Sequence, residues 1–195
     1  MNMTTIRVQL LAMALLASSA AHADHQKRYF ACASGDCPAR IPDSNGTVDG
    51  VATINFPVAA NVCAGTTTIG YAVYLNVLHS SIGDLRASLI NPALTSVVFM
   101  NRPLVSGNCR GDDIDATFVD GAAALTCGTQ IPAISGDVKT NAVLSAFGSA
   151  SPASGNWQLE VRDQAAGGDG TLLGAQLRIT CGYSDDIFND SFEKP

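Results

Sequence analysis

Several residue types are scarce in this chain of 195 residues, and each scarcity argues against a class of function. Lysine and arginine together number 11 against 17 acidic residues, which gives a formal net charge of −6 at pH 7. So little positive charge disfavours nucleic acids and anionic membranes as partners. No apolar run reaches the roughly 20 residues that a membrane-spanning helix needs. We therefore expect no membrane span and no nucleic-acid partner.

Histidine is also rare, with only His22, His25 and His79 in the sequence. The first two fall in the segments that we assign below to a signal peptide and a tail, so a Ser/His/Asp triad would depend on His79. No Gly-x-Ser-x-Gly elbow accompanies this histidine. We expect His79 to brace the turn that follows it, and we expect no enzymatic activity. The alternative is a cryptic hydrolase that uses His79 or a pair of acids.

The first residues have the pattern of a secretory signal peptide. Arg7 precedes an apolar stretch from Val8 to Ala17, and Ala21-His22-Ala23 fits the small-x-small cleavage rule. Such a peptide would direct the chain to the periplasm or the extracellular space, and cleavage after Ala23 would release the mature chain.

Six cysteines follow this segment, which fits an oxidising compartment and predicts structural disulfides. They are Cys32, Cys37, Cys63, Cys109, Cys127 and Cys181. A zinc site is disfavoured because the sequence has no Cys-x-x-Cys pair and no compact Cys/His cluster. Six thiols can pair in many ways, and sequence alone does not choose among them. Proximity favours Cys32–Cys37 and Cys109–Cys127, which would leave Cys63–Cys181.

Alternating apolar residues predict β-strands along most of the remaining chain. The residues that should share a buried face are Ile69, Tyr71, Val73, Leu75 and Val77; Leu85, Ala87 and Leu89; Trp157, Leu159 and Val161; and Leu173, Ala175, Leu177, Ile179 and Cys181. A further short strand is predicted from Thr95 to Met100. No segment after residue 23 keeps a helical apolar period for three turns. These patterns predict an all-β fold, a jelly-roll-like antiparallel β-sandwich stapled by disulfides.

Two segments at strand ends give the most specific signal. Residues 79–85 read His-Ser-Ser-Ile-Gly-Asp-Leu, and residues 155–163 read Gly-Asn-Trp-Gln-Leu-Glu-Val-Arg-Asp. Further elements stand in order around them: Ile41-Pro42-Asp43, Leu89-Ile90-Asn91-Pro92, Asn101-Arg102, Gly111-Asp112, Phe118-Val119-Asp120, Leu144-Ser145-Ala146-Phe147 and Gly168-Asp169-Gly170-Thr171-Leu172. The ordered set resembles the P domain, the β-sandwich module that follows the catalytic domain in proprotein convertases and bacterial subtilisin-like proteases.

This resemblance covers residues 41–182 and suggests how the chain is divided. We expect a signal peptide over residues 1–23, an N-terminal tail over 24–40, the P-domain-like sandwich over 41–182, and an acidic-aromatic tail over 183–195. The last segment would be a sorting or docking tag or a disordered tail.

The resemblance implies a stand-alone, non-catalytic domain that binds or stabilises a protein partner, such as a separately encoded protease. In the family, the domain stabilises a serine endopeptidase. A carbohydrate- or cell-surface-binding jelly roll is the alternative. It is weakened because few aromatic residues lie in strands, and Tyr71 and Trp157 are predicted to face the core.

Aspartates at the strand ends are candidate calcium ligands, because this hard cation binds several carboxylate oxygens. Asp84 and Asp163 lie at strand ends, Asp120 follows a short apolar stretch, and Asp169 lies on a glycine-rich loop. If these loops meet, a bound calcium ion would relieve the repulsion among the carboxylates. The alternative is that the aspartates cap turns by accepting backbone N–H bonds. A second acidic cluster, residues 112–115, lacks the spacing of an EF-hand loop.

Overall fold

The computed structural model describes residues 25–103, 109, 111–149 and 153–182. The predicted signal peptide and the acidic-aromatic tail lie outside these residues. Within them, the strands in chain order are β1 (Gln26–Ala31), β2 (Ala39–Ile41), β3 (Gly50–Val58), β4 (Thr67–Leu78), β5 (Leu85–Ile90), β6 (Ser96–Asn101), β7 (Ile114–Val119), β8 (Ile134–Val138), β9 (Gly155–Asp163) and β10 (Gly170–Gly182). Two short 3₁₀ helices, η1 (Ile82–Asp84) and η2 (Leu144–Phe147), lie in the connections. None of the helices in the described ranges is long and apolar enough to cross a membrane.

The strands form two sheets of a β-sandwich. The larger sheet has the order β1-β10-β4-β7-β8, with the short β2 also paired to β10, and the smaller sheet has the order β3-β9-β5-β6. The described strand pairs are antiparallel except β7 with β8, which run parallel. The predicted all-β, disulfide-stapled sandwich is confirmed. The parallel pair was not predicted, because only the two ends of β8, Ile134 and Val138, are apolar and buried.

The core between the sheets is built from the predicted alternating faces. In the larger sheet Val73 pairs with Leu177, and in the smaller sheet Leu89 pairs with Leu159; all four side chains are fully buried. Trp157 is buried among other aromatic rings, as the pattern of β9 predicted. Each large apolar side chain buried in this way contributes about 1.5–3 kcal/mol. The alternation therefore identified most of the core directly.

Alternation fails at one residue of β10. A bulge between Leu172 and Gly174 leaves Leu172 fully buried and turns Leu173 outward, with 42% of its surface exposed. The prediction that Leu173 shares the buried face with Ala175 was therefore wrong. One extra residue in a strand reverses the faces of the residues that precede it.

The segment predicted as an N-terminal tail contains part of the sandwich. Gln26–Ala31 forms β1 and pairs antiparallel with the end of β10, and Ala39–Ile41 forms β2 and pairs with its beginning. The boundary placed at residue 41 was therefore too late. Strand β1 lies at a sheet edge and exposes nearly all its side chains, so it has no apolar alternation by which it could be recognised.

Three disulfides join the six cysteines: the two pairs that proximity favoured and the pair that they leave. They are Cys32–Cys37, Cys63–Cys181 and Cys109–Cys127. The second connects the loop before β4 to the end of β10 across 118 residues of sequence, so it closes the largest loop of the domain.

Candidate functional site

The two motif segments meet at one end of the sandwich. His79 directly follows β4, and Asp163 is the last residue of β9, where it pairs with Leu85 at the start of β5. The residues just before β7 and β10, Asp113 and Asp169, reach the same end. This strand-end region contains most of the candidate site residues.

A buried pair between His79 and Asp163 lies at the centre of this region. Both residues are almost completely buried, with 4% and 0% of their surfaces exposed, and Nε2 of His79 lies 3.2 Å from Oδ2 of Asp163. Nδ1 of His79 accepts a 3.0 Å hydrogen bond from the backbone N–H of Ser81. A nitrogen that accepts carries no hydrogen, so the ring hydrogen is on Nε2 and points at the carboxylate.

This arrangement leaves no ring nitrogen of His79 free to take a proton from a serine. Nδ1 is occupied by the backbone of Ser81 and Nε2 by Asp163, whose other oxygen accepts the N–H of Ala165 at 3.1 Å. A general base must reach the proton that it removes. His79 instead fixes the turn into η1 and connects it to the end of β9.

Asp113 holds the backbone of His79 from the other side. Its Oδ1 accepts the N–H of His79 at 2.9 Å, and its own N–H donates to the carbonyl of His79 at 3.1 Å. Asp113 has a φ of +64°, a left-handed conformation that aspartate tolerates better than most residues. Residue 113 was predicted only as part of an acidic cluster, and its spacing in the sequence gave no sign of this role.

Gly83 of the first motif lies directly against the segment that contains Cys109. A Cβ at position 83 would lie 2.6 Å from the carbonyl oxygen of Cys109, closer than real Cβ contacts. The N–H of Ile82 also donates to the carbonyl of Gly111 at 3.2 Å. The glycine is therefore explained by a close backbone approach.

Asp84, one of the predicted calcium ligands, is paired with an arginine. Its Oδ1 lies 3.5 Å from Nη2 of Arg102, while Nε of Arg102 donates to the carbonyl of Gly83 at 3.3 Å. The backbone N–H of Arg102 also donates to the carbonyl of Leu85 at 2.9 Å. Arg102 thus binds the turn of the first motif through both its side chain and its backbone.

Asp169 is the most accessible predicted ligand at this end. Its Oδ2 lies 3.0 Å from Nε of Arg40, and both side chains are more than half exposed. The hydrogen bond and the positive charge of Arg40 lower the pKa of Asp169. Asp169 also lines an open cleft of about 360 Å³ together with Asp112 and Asp113.

Asp120 lies at the opposite end of β7 and caps η2. Its Oδ1 accepts hydrogen bonds from Thr140 Oγ1 and from the N–H of Leu144, and its Oδ2 accepts from the N–H of Ser145, each at 2.8 Å. Burial raises the pKa of Asp120, but these hydrogen bonds outweigh it and the net shift is downward. Carboxylates commonly accept such bonds at helix starts.

The four predicted calcium ligands do not form one site. Asp84, Asp163 and Asp169 lie at one end of the sandwich, whereas Asp120 is separated from that end by the length of β7, about 20 Å at roughly 3.3 Å per residue. Within the described ranges, no group of three or more His, Cys, Asp or Glu residues is placed to hold a metal ion. Calcium binding stays a prediction.

The second motif segment, which begins at Gly155, packs against Pro92, the last residue of another of the ordered motif elements. Gly155 has a φ of +122°, and a Cβ there would lie 2.8 Å from Cγ of Pro92, the proline that follows β5.

A family model described as the proprotein convertase P-domain matches residues 70–179, which include both motif segments. The chain belongs to the proprotein convertase P-domain family. The resemblance read from the ordered motifs is thus confirmed.

Other comparisons gave more distant similarities. No curated protein matches the chain. Two solved structures of a serine protease from Aeromonas sobria, one of them a complex with a chaperone, are similar to it at 15% identity and a TM-score of 0.42. The alignments cover 81% and 82% of this chain, which spans only 27% of each protease chain.

Proposed function

We propose that this chain is a non-catalytic P-domain module that binds and stabilises a protein partner in a proteolytic system. The observation that carries the proposal is that the family's signature side chains contact one another inside the domain. His79 contacts Asp163, and Asp120 caps η2 at Leu144. These contacts make the signature residues part of the scaffold, so the function that we propose is binding rather than catalysis.

The proposal that the module does not catalyse rests on the state of His79. Both its ring nitrogens are engaged and it is buried at the end of β4. An acid pair would need two accessible carboxylates facing a common substrate. At the strand-end region, Asp84 is instead paired with Arg102, and Asp169 with Arg40.

Carbohydrate binding has less support from the aromatic residues. Tyr71 and Trp157 are buried and contact each other in a tilted arrangement, with 5.1 Å between the ring centroids. The hydroxyl of Tyr74 donates to Asp115 at 2.8 Å, and this hydrogen bond raises the pKa of Tyr74. The exposed aromatic platform on which a sugar ring would stack is therefore not formed by these residues.

We further propose that the module works outside the cytoplasm, with a separately encoded protease as its partner. Three disulfides fit an oxidising compartment, and the first residues have the pattern of a signal peptide. The partner would meet the folded module after export.

Affinity purification of the tagged full chain from the exported fraction of its source organism tests the partner. We expect mass spectrometry to find a subtilisin-like protease, and we expect the melting temperature of that protease to rise when the purified module is added. Recovery of non-proteolytic partners alone would contradict the link to proteolysis.

A separate assay tests the absence of catalysis. The purified chain and its His79→Ala variant are incubated with casein and with a fluorogenic peptide library, and both are expected to give background rates. Hydrolysis by the wild type that the variant loses would show that the module is itself an enzyme.

Calcium is a second proposal, and the acidic cleft supports it. Asp112, Asp113 and Asp169 line the same cleft without forming a group of three metal ligands, so a calcium ion there would need further oxygen ligands from the backbone or from water. We expect millimolar calcium chloride to raise the melting temperature relative to EDTA, and Asp169→Asn to reduce that rise, while equal magnesium chloride has a smaller effect. Equal melting temperatures in calcium and in EDTA would contradict the calcium proposal and would leave the proposed binding function unaffected.

A further inference from the structure

A basic patch lies on the outer face of the larger sheet, beside its β1 edge. Lys27 and Tyr29 of β1 pair with Thr180 and Arg178 of β10, so these four side chains share a face. That face points away from the core, because the alternating residue Ile179 is fully buried on the other side. We name Lys27, Tyr29 and Arg178 the β1 patch.

The cations of the β1 patch have no acidic partner in the part of the chain that the structure describes. Nε of Arg178 is buried there without a hydrogen-bond acceptor, the one such side-chain atom among the described residues. Arg40, Arg102 and Arg162, by contrast, each form an ion pair. A buried donor left unpaired is unfavourable, and a carboxylate at this guanidinium would relieve it.

The segment that follows β10 has the complementary chemistry. Residues 183–195 contain four acidic residues and one lysine, together with aromatic and aliphatic side chains: Asp185, Asp186, Asp190, Glu193, Lys194, Tyr183, Ile187, Phe188 and Phe192. Tyr29 of the patch exposes 55% of its surface and offers an apolar face to such residues. Both the charge and the apolar character of this segment therefore match the patch.

The segment also starts in the right place. It begins after Gly182, and the preceding residue, Cys181, pairs with Gln26 at the start of β1. Arg178 lies four residues back along β10, about 13 Å at roughly 3.3 Å per residue. The segment can span up to about 40 Å when extended. Its acidic residues can therefore reach the β1 patch of their own chain.

We propose that residues 183–195 dock on the β1 patch of the same molecule, with the paired aspartates 185 and 186 against Lys27 and Arg178. The phenylalanines pack against Tyr29. The inference is independent of the proposed partner and of calcium.

Chymotrypsin digestion of the full chain measures the docking, since the enzyme cleaves after aromatic residues and the segment contains Tyr183, Phe188 and Phe192. A docked segment is protected, because proteolysis requires an exposed and mobile chain. Cleavage within the segment is followed by mass spectrometry. An exposed ion pair changes such an equilibrium by up to about fivefold, so Lys27→Glu and 0.5 M salt should each speed cleavage by about that factor.

A matched control exists on the same strand. Arg28 neighbours Lys27 and carries the same charge, but its side chain lies on the opposite face, since it pairs with the buried Ile179. Arg28→Glu should leave the cleavage rate unchanged. Circular dichroism and the melting temperature confirm that each variant is folded, and Arg178→Gln gives a second reading of the patch.

Charge exchange decides the pairing. Adding Asp185→Lys and Asp186→Lys to a Lys27→Glu, Arg178→Glu variant should restore protection, whereas the same two changes in the wild type should remove it. Equal cleavage rates in the wild type, Lys27→Glu and Arg28→Glu would overturn the proposal. So would protection that grows with protein concentration, because the segment would then dock on a second copy.

Discussion

Replacing Asp163 by asparagine tests whether the two motif segments hold each other through a hydrogen bond of fixed direction. The carboxylate accepts from two donors, Nε2 of His79 and the N–H of Ala165, at 3.2 and 3.1 Å. An asparagine in the same position has one acceptor and one donor end. Whichever way it turns, its NH₂ group faces one of these two donors.

The histidine has no means of adapting to this change. To accept from an asparagine NH₂, His79 would have to move its hydrogen to Nδ1, where the N–H of Ser81 already donates. The variant therefore loses one hydrogen bond to a charged group, which is worth about 1.5–3 kcal/mol, and leaves a buried donor unsatisfied. We expect Asp163→Asn to lower the free energy of unfolding by about 3 kcal/mol.

Equilibrium unfolding in urea with the disulfides intact measures this loss. At an m-value of about 2 kcal/mol/M, the midpoint should fall by about 1.5 M. Asp115→Asn is the matched control, since Asp115 is exposed and hydrogen-bonds only Tyr74 among the contacts described; it should change stability by less than about 1 kcal/mol. A loss at Asp163 no larger than at Asp115 would refute the directional pairing.

Three further predictions concern other parts of the scaffold. Asp120→Ala should remove the cap of η2 and lower the free energy of unfolding by about 1–2 kcal/mol at neutral pH. Because the pKa of Asp120 is lowered in the fold, its contribution is complete above the unfolded pKa of about 4 and is lost as the pH falls further, so in pH-dependent melts the variant should approach the wild type below that value. Gly83→Ala should lower stability by about 1–3 kcal/mol through its contact with the backbone of residue 109, whereas Gly174→Ala, with no neighbour within 4 Å, should change it little in thermal melts. Replacing Cys63 and Cys181 by serine opens a loop of 118 residues and should lower the free energy of unfolding by about 5 kcal/mol in urea titrations.

The sequence predicted the parts of the fold that bury one face completely. Strands β4 and β9 could be recognised because each alternates between core and surface over most of its length. Edge strand β1 could not, because exposure on both faces removes the constraint that produces alternation. The outward turn of Leu173 was equally hidden, since a bulge depends on one residue of register and leaves the composition unchanged.

The candidate site was predictable as a set of residues but not as an arrangement. His79 and Asp163 are 84 residues apart, and only the order of the sheets brings β4 and β9 to the same end. The same topology sends Asp120 to the far end of β7, although its sequence context resembles that of the other aspartates. Turn aspartates give the same signal whether they cap a backbone or bind an ion, so the sequence could not separate these two roles.

The contacts of the signature residues indicate that these residues stabilise the domain, and that its binding specificity would depend on other residues. Where His79 meets Asp163 and Asp120 meets Leu144, a signature side chain satisfies another part of the same fold, so substitution there alters the scaffold before it alters any interface. Lys27 and Tyr29 lie outside both motifs and contribute little to the core. Exposed residues of this kind can change at small cost to folding. Membership in the family therefore predicts the scaffold, and under the proposed function a partner would be selected by exposed residues rather than by these internal contacts.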